Sequence, residues 1–409
     1  MLQGRSFQKL WGAATLSAFG DSISSTALPL TAILVLDANV VESAILSALI
    51  WVPSLLLSVP AGAWVDRSGN RRLVMVAANI GRFVALGSVP LGVALDALSM
   101  TQLYTVMFAL GACSVLSAVS ETGIFAAVIP PDQYVEGQAT IHGSHATAML
   151  AGPAAGGYLV QAFSAPLAIM IDAVSALISA LLLSRIRIVE VRASATEKVR
   201  DSLHSGATFI WRTPFIRTAL TVTATVNFFN LMFNAVLMWY FVNHLDMSGG
   251  AVGLVLSAQA VGAIVGASFA PRLSAHIGLG RTLLTGCLLF NAPLILVPFV
   301  NRADVTGVAL LLLAAIGSGY GAATQDISVG SVFALVVPEA MRSRVRGAYQ
   351  MVSFGIRPLG ALAGAAVSTV IGAHSTLLVG AVGGSLAFLW LLPSPLLNFR
   401  APERVLDDA

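Results

Sequence analysis

Residues 62–72 read Gly62-Ala63-Trp64-Val65-Asp66-Arg67-Ser68-Gly69-Asn70-Arg71-Arg72, a short charged turn between two apolar runs. Those runs, residues 43–65 and 73–95, each reach the ~20 residues that a helix needs to cross a bilayer. A water-soluble core cannot switch so abruptly from apolar residues to three arginines and back. The stretch is therefore the turn of a membrane hairpin, and it marks the side on which arginine collects.

Composition agrees. The 409 residues are 57% hydrophobic and 10% charged, with a mean hydropathy of +0.86, far from the roughly 25% charged residues of soluble domains. The net charge of +3 comes from basic residues scattered among apolar spans, with no basic face carrying interleaved aromatics, so a nucleic-acid partner is not expected. Cys113 and Cys287 both sit in apolar runs, which argues against a disulfide framework. The first apolar stretch continues past Asp21 to Leu36, too long for a signal-peptide core, and reads as a retained first span.

Twelve apolar segments follow one another, near residues 10–36, 43–65, 73–95, 102–124, 134–160, 165–185, 215–243, 251–273, 281–300, 305–330, 343–371 and 374–395. They show no apolar/polar alternation and are twice the ~10 residues of a barrel strand, so the expected class is an all-α integral membrane protein. Starting with the N-terminus inside, the positive-inside rule places all but three of the 22 Lys and Arg on the cytoplasmic side. The exceptions are Arg302 outside, with Arg82 and Arg357 within spans. Both termini are then cytoplasmic. The expected organisation is an N-terminal six-helix bundle over residues 1–185, a cytoplasmic linker over 186–214, a C-terminal bundle over 215–395 and a tail over 396–409.

The halves echo each other. Phe125-Ala-Ala-Val-Ile-Pro130 precedes span five and Phe333-Ala-Leu-Val-Val-Pro338 precedes span eleven, each with a Gly/Ala-rich segment and a proline (Pro153, Pro358) some twenty residues on. The turn from Pro271 to Arg281 echoes residues 62–72 but has no aspartate at the matching place. Six-helix repeats with a site between them are the mark of secondary transporters.

These residues carry a family resemblance over essentially the whole chain. Gly62-x-x-x-Asp66-Arg67-x-Gly69-x-Arg71-Arg72 resembles the loop 2-3 signature of the major facilitator superfamily, and Gly152-Pro153-x-x-Gly156-Gly157 resembles part of its antiporter motif. Gly20-Asp21, Ala27-Leu28-Pro29, Asp172-Ala173 and Pro358-Leu359-Gly360 are similar to the branch of macrolide-efflux and enterobactin-exporter-like proteins. Ala148 and Ala139 stand where the antiporter motif has its upstream glycines. The resemblance implies two pseudo-symmetric bundles, a loop at Gly62, Asp66, Arg67, Gly69, Arg71 and Arg72 that latches the halves together on the cytoplasmic side, and a cavity lined by spans one, four, seven and ten.

Six ionisable residues fall within spans: Asp21, Arg82, Glu121, Asp172, Asp326 and Arg357. Each costs several kcal/mol in hydrocarbon, by rough order, unless paired or wet, so each is a functional candidate. Counting about 1.5 Å per residue puts Asp21, Asp326 and Arg357 near mid-membrane, and puts Arg82 and Glu121 at equal depth, where they are expected to pair. Asp172 has no evident partner and reads as structural. Arg357 and Asp326 fit an ion pair or a functional site equally well. Asp21 is expected to carry the coupled proton. Asn227, Asn230 and Asn234 form a polar stripe on span seven, which suits either a substrate cavity or interhelical hydrogen bonds. His142 and His145 lack companion ligands for a metal and read as packing or hydrogen-bonding residues.

The expected function is export of an amphipathic organic molecule (a drug, antibiotic or siderophore-like solute) by alternating access, coupled to proton entry. Import of a small organic solute fits the same fold. A lipid-modifying membrane enzyme is disfavoured, since HExxH, GxSxG and GxxxxGK[ST] are all missing. No cofactor or metal is expected, and the partners are substrate, protons and the bilayer, with the chain a monomer. Lysine occurs only at Lys9 and Lys198 among the basic residues, a bias suggesting a GC-rich bacterial genome and hence a plasma membrane.

Overall fold

A bilayer leaves a spanning backbone no water to bond with, so each apolar run closes its own hydrogen bonds as a helix. The computed structural model describes residues 5–130, 133–186 and 199–399, and no strand occurs among them. The first half contains α1 (Arg5–Leu36), α2 (Val40–Leu49), α3 (Val52–Ser68), α4 (Arg71–Ala94), α5 (Met100–Val128), α6 (Tyr134–Ala162) and α7 (Ala165–Ser184). The second contains α8 (Val199–Arg212), α9 (Pro214–Asn243), α10 (Gly249–Ile277), α11 (Leu279–Asn291), α12 (Val305–Val336) and α13 (Arg342–Ser385).

These elements make twelve crossings in two six-helix bundles. Ten stretches are long and apolar enough to cross on their own. Helix α6 is long enough at 29 residues but carries Glu136, Gln138, His142 and His145. Helix α13 has 44 residues, about 66 Å of helix and twice the hydrocarbon thickness. It breaks at Gly372, whose φ of 79° and ψ of 167° suit only glycine, and so supplies two crossings. The second crossing is broken too, into α2 and α3. Pro53, at the start of α3, lacks an N–H and its ring clashes with the carbonyl four residues back. Gly111 on α5 leaves room for the displaced Ile50 carbonyl, which a Cβ there would strike.

The pseudo-repeat extends to its turns on the arginine-poor face. Leu36-Asp37-Ala38-Asn39 and Leu245-Asp246-Met247-Ser248 occupy corresponding places in the two halves. Asp37 and Asp246 both have φ of 51°. Ala38 N–H donates to Ala32 C=O and Met247 N–H to Phe241 C=O, both at 3.0 Å. Asn39 and Ser248 then cap the next helix through their side chains.

Each bundle has its own apolar core, around Leu28, Leu86 and Ile169 in the first and around Phe233, Tyr240 and Phe241 in the second. Where α2 meets α9 and α13, only small side chains intervene: Ala44, Ala48, Ala235, Ala361 and Ala365. Their size lets helices of opposite halves touch closely, as membrane packing requires.

The segment expected as a plain linker contains α8, which is amphipathic. Ile210 is buried in the second half's core, whereas Trp211 is 72% exposed. A Cβ on Gly206 would strike the Arg344 carbonyl, so α8 lies directly on the start of α13. The rest of the linker, residues 187–198, and the tail from residue 400 lie outside the described residues.

Candidate functional site

Helix α7 packs against both α1 and α4, and the three helices bring three charges together within the first bundle. Arg82 on α4 donates to both carboxylate oxygens of Asp21 on α1, at 3.2 Å to Oδ2 and through Nη2 to Oδ1. The same Nη2 lies 3.3 Å from Asp172 Oδ1 on α7. Ser175 Oγ also donates to Asp172 Oδ1, at 3.2 Å. Gly20 makes the approach possible: a Cβ there would overlap the Asp172 carboxylate and the Ser175 hydroxyl. The expected Arg82–Glu121 pair is thus corrected, because Arg82 turns toward α1 and α7. Asp172, for which the sequence offered no partner, is the buried acid of this cluster.

The two acids differ in access. The Asp172 side chain is 1% exposed and Arg82 8%, whereas Asp21 is 60% exposed. Arg82 and Asp172 form a buried pair, and Asp21 is an added carboxylate at its open edge. With all three ionised the cluster carries one net negative charge. Asp21 is therefore the accessible member of the cluster.

Ser22 and Ser25, next to Asp21 on α1, line a central cavity of about 430 Å³ between the halves. Its other walls include Ser47, Met149, Asn234, Met238, Phe241 and Gln259. Hydroxyl, amide, thioether and aromatic groups alternate, and no charged side chain lines it. Of the three asparagines expected there, only Asn234 lines it. Asn227 donates to the carbonyl and hydroxyl of Ser353, both at 3.0 Å, a bond between helices. Asn230 accepts from Asn234, at 2.8 Å to its carbonyl, and borders a separate space of about 40 Å³ within the second half. Sequence reasoning missed Ser22, Ser25, Met149 and Gln259, because it weighed charges and amide stripes and passed over hydroxyl and thioether groups in glycine-rich spans.

The remaining intramembrane charges lie toward the arginine-rich face. Asp326 is exposed, and it follows Gly319 and Ala322, which line the cavity, on the same face of α12. Arg357 on α13 makes no ion pair with it. Its guanidinium instead lies 4.4 Å from the ring centroid of Trp51, in the other half, and 4.7 Å from that of Phe354. The ion-pair reading of Arg357 with Asp326 is corrected accordingly. Glu121, on α5, is in electrostatic range of His145 and His142 on α6. Both imidazoles are exposed.

The glycine motif on α6 works as a joint. A Cβ on Gly152 would meet Ser22, and one on Gly156 would lie 2.9 Å from the Ile23 carbonyl of α1. Gly157 faces Gly249 and Gly253 of α10, and Gly253 in turn faces the Pro153 carbonyl. Ala154 N–H donates to Ser257 Oγ at 2.9 Å and Gly250 N–H to Gln161 Oε1 at 3.1 Å, both between the halves. The halves thus close at the arginine-poor face. Nearer the other face, α6 exposes His142, His145 and Thr147, polar groups that lipid would not accept, so this surface borders a water-filled opening.

The stretch expected as a turn from Gly62 is helical as far as Ser68, so the turn is confined to Gly69 and Asn70 between α3 and α4, and the φ of 63° at Gly69 is left-handed. Arg72 donates to the carbonyls of Ile186, at 2.8 Å, and Ser184, at 3.3 Å. Arg71 lies across Gly123 of α5. Both arginines therefore brace the first half itself. The side chains of Asp66 and Arg67, expected in the latch, lie outside the described residues.

Two six-helix bundles around an uncharged, largely apolar cavity with a few hydroxyl and amide groups, closed at one face and open at the other, make a membrane solute transporter. The chain belongs to the Major Facilitator Superfamily, whose family model matches residues 10–248 and 220–404. It is similar to the multidrug efflux pump Tap of Mycolicibacterium fortuitum, 24% identical over 385 residues and covering 90% of each chain. Likewise, it is 26% identical over 382 residues to Tap of Mycobacterium tuberculosis, covering 90% of this chain and 88% of that one. Among solved structures it resembles the nucleoside transporter NupG, with TM-score 0.72, 13% identity and coverage of 97% and 100%. It also resembles a bacterial homolog of the human lysosomal transporter Spinster in an inward-facing, occupied conformation, with TM-score 0.73, 15% identity and coverage of 97% and 98%. The protein is a multi-pass membrane transporter of small molecules, not an enzyme.

Proposed function

We propose that this transporter exports amphipathic organic molecules across a bacterial plasma membrane by alternating access, driven by proton entry. The carrying observation is the Asp21–Arg82–Asp172 cluster at the edge of the 430 Å³ cavity. Arg82 compensates one of two carboxylates, so the site holds one exchangeable charge. A proton on Asp21 neutralises the cluster, and its release restores the negative charge beside the substrate space. A cavity of hydroxyl, amide and apolar groups suits a molecule with both polar and greasy surface. Similarity to the Tap multidrug efflux pumps supports the direction.

With the termini cytoplasmic, the arginine-rich face is cytoplasmic and the described state is open inward. Rocking of the N-terminal bundle (1–185) against the C-terminal bundle (215–395) then exposes the cavity outward, the linker 186–214 tethers the two, and the chain works as a monomer. In the outward state Asp66 latches toward the start of α13. Asp66→Asn should lower transport without loss of insertion, and full transport by that variant would remove the latch.

The test uses purified protein in proteoliposomes acidified inside, with ethidium outside. Molecules whose cytoplasmic face is outward should concentrate the dye inside in proportion to the pH gradient. Dye distribution that ignores gradients of either sign would overturn the reading.

A further inference from the structure

An intramembrane guanidinium without a counterion is costly, and membrane proteins keep one where it has work to do. Arg357 is such a group. Its Nε is buried without a hydrogen-bond partner. Two aromatic rings hold the guanidinium, Trp51 from the first half and Phe354 from the second. Cations attract ring faces, so the two rings hold the guanidinium in place. Asp326 acts electrostatically on Arg357 without bonding to it. Opposite charges in a medium of low dielectric attract strongly, yet Arg357 rests on the two rings.

Their placement is on the substrate's route. Asp326 extends the face of α12 that lines the cavity through Gly319 and Ala322. Trp51 follows Ser47, another cavity residue, by about one helical turn. The cavity itself is lined without charge, so a separated carboxylate and guanidinium at its arginine-rich end give it a fixed dipole.

We propose that Asp326 and Arg357 form a zwitterion-binding subsite, in which Asp326 takes the ammonium and Arg357 the carboxylate of an amphoteric amphiphile. The inference rests on the cavity being the transport site and names its substrate class. A guanidinium held by its faces leaves terminal N–H donors for a carboxylate, a pairing stronger than neutral hydrogen bonds. Asp326 supplies the complementary charge to an amine. A substrate bearing only one charge satisfies one of the two groups and leaves the other uncompensated.

The experiment measures binding, not transport, so it is independent of proton coupling. The probes are norfloxacin, a zwitterion, with its ethyl ester, which keeps the amine, and its N-acetyl derivative, which keeps the acid. Affinities are read by fluorescence on the full chain in detergent. Wild type should bind norfloxacin at least about tenfold more tightly than either derivative, a difference of about 1.4 kcal/mol. Arg357→Gln should erase the preference over the ester, Asp326→Asn the preference over the N-acetyl form, and Trp51→Leu should weaken the first preference by freeing the guanidinium. Arg357→Lys, which keeps the charge, should retain part of it and guards against misfolding as the cause. Equal affinity of wild type for all three probes, or ratios unchanged in the variants, overturns the subsite. Ethidium export that persists in that event leaves the broader reading standing, and binding preference without gradient-driven export leaves the subsite standing alone.

Discussion

Arg82 Nη2 and Asp172 Oδ1 are 3.3 Å apart, with side chains 8% and 1% exposed, and Asp21 joins them from the open side. A buried pair of this kind gives little net stability against an apolar replacement, but removing one member strands the other. Arg82→Gln leaves Asp172 without its counterion and both acids repelling each other. It should lower stability by about 3 to 5 kcal/mol, read as a lower midpoint of thermal unfolding in detergent. The double variant Arg82→Gln, Asp172→Asn should recover much of the loss. A single variant as stable as wild type would show that the cluster does not hold α1, α4 and α7 together.

Gly20 and Gly62 both belong to sequence motifs, and the structure separates them. A Cβ on Gly20 overlaps the Asp172 carboxylate and the Ser175 hydroxyl, whereas one on Gly62 meets nothing within 4 Å. Gly20→Ala should cost about 1 to 3 kcal/mol through overpacking, while Gly62→Ala, inside α3, should be neutral or stabilising by up to about 1 kcal/mol through lost unfolded-state freedom. Parallel denaturation curves check the contrast. Equal losses at the two positions would mean that backbone freedom, not the carboxylate contact, sets the need for glycine.

The crossings were legible in the sequence because spanning requires length and apolarity, which a linear chain displays directly. Even α6, polar for a span, stood out as one of the twelve segments, near residues 134–160. Pairing among charges was not legible. Counting residues estimates depth along a span, but rotation about the helix axis does not follow from depth. Arg82 bonds to partners 61 and 90 positions away, on α1 and α7. Similarly, Arg357 meets Trp51 of the other half, beside the break in the second crossing at Pro53. Signals were overlooked as well: the repeated Leu-Asp turns at Asp37 and Asp246, and an apolar stripe ending in Phe209 and Ile210 within the supposed linker.

The joint between α6 and α10 depends on backbones in contact. A side chain on Gly253 would strike the Pro153 carbonyl, so Gly253→Val should hold the arginine-poor face apart. With closure there blocked, the population should shift toward the opposite state. A cysteine placed at Thr147, exposed in the present opening, should then react with a maleimide at least about tenfold more slowly, which corresponds to a shift of about 1.4 kcal/mol. Transport should fall in parallel, since alternating access needs both states. Unchanged labelling would show that the glycine contact does not govern opening.

Asp21 separates driving force from passage. Its carboxylate borders the cavity but is not among the groups lining it, so Asp21→Asn keeps the polar wall and removes the exchangeable charge. Arg82 retains Asp172 as its counterion in that variant, and the protein should remain folded. The cluster then stays neutral whatever the proton concentration on either side. Gradient-driven accumulation of ethidium should fall to the level of empty liposomes, while exchange of labelled for unlabelled dye, which needs no proton, should continue. The split is the diagnostic result: loss of both activities would place Asp21 in cargo binding, and retention of gradient-driven accumulation would move the coupling proton to another acid, Glu121 or Asp326.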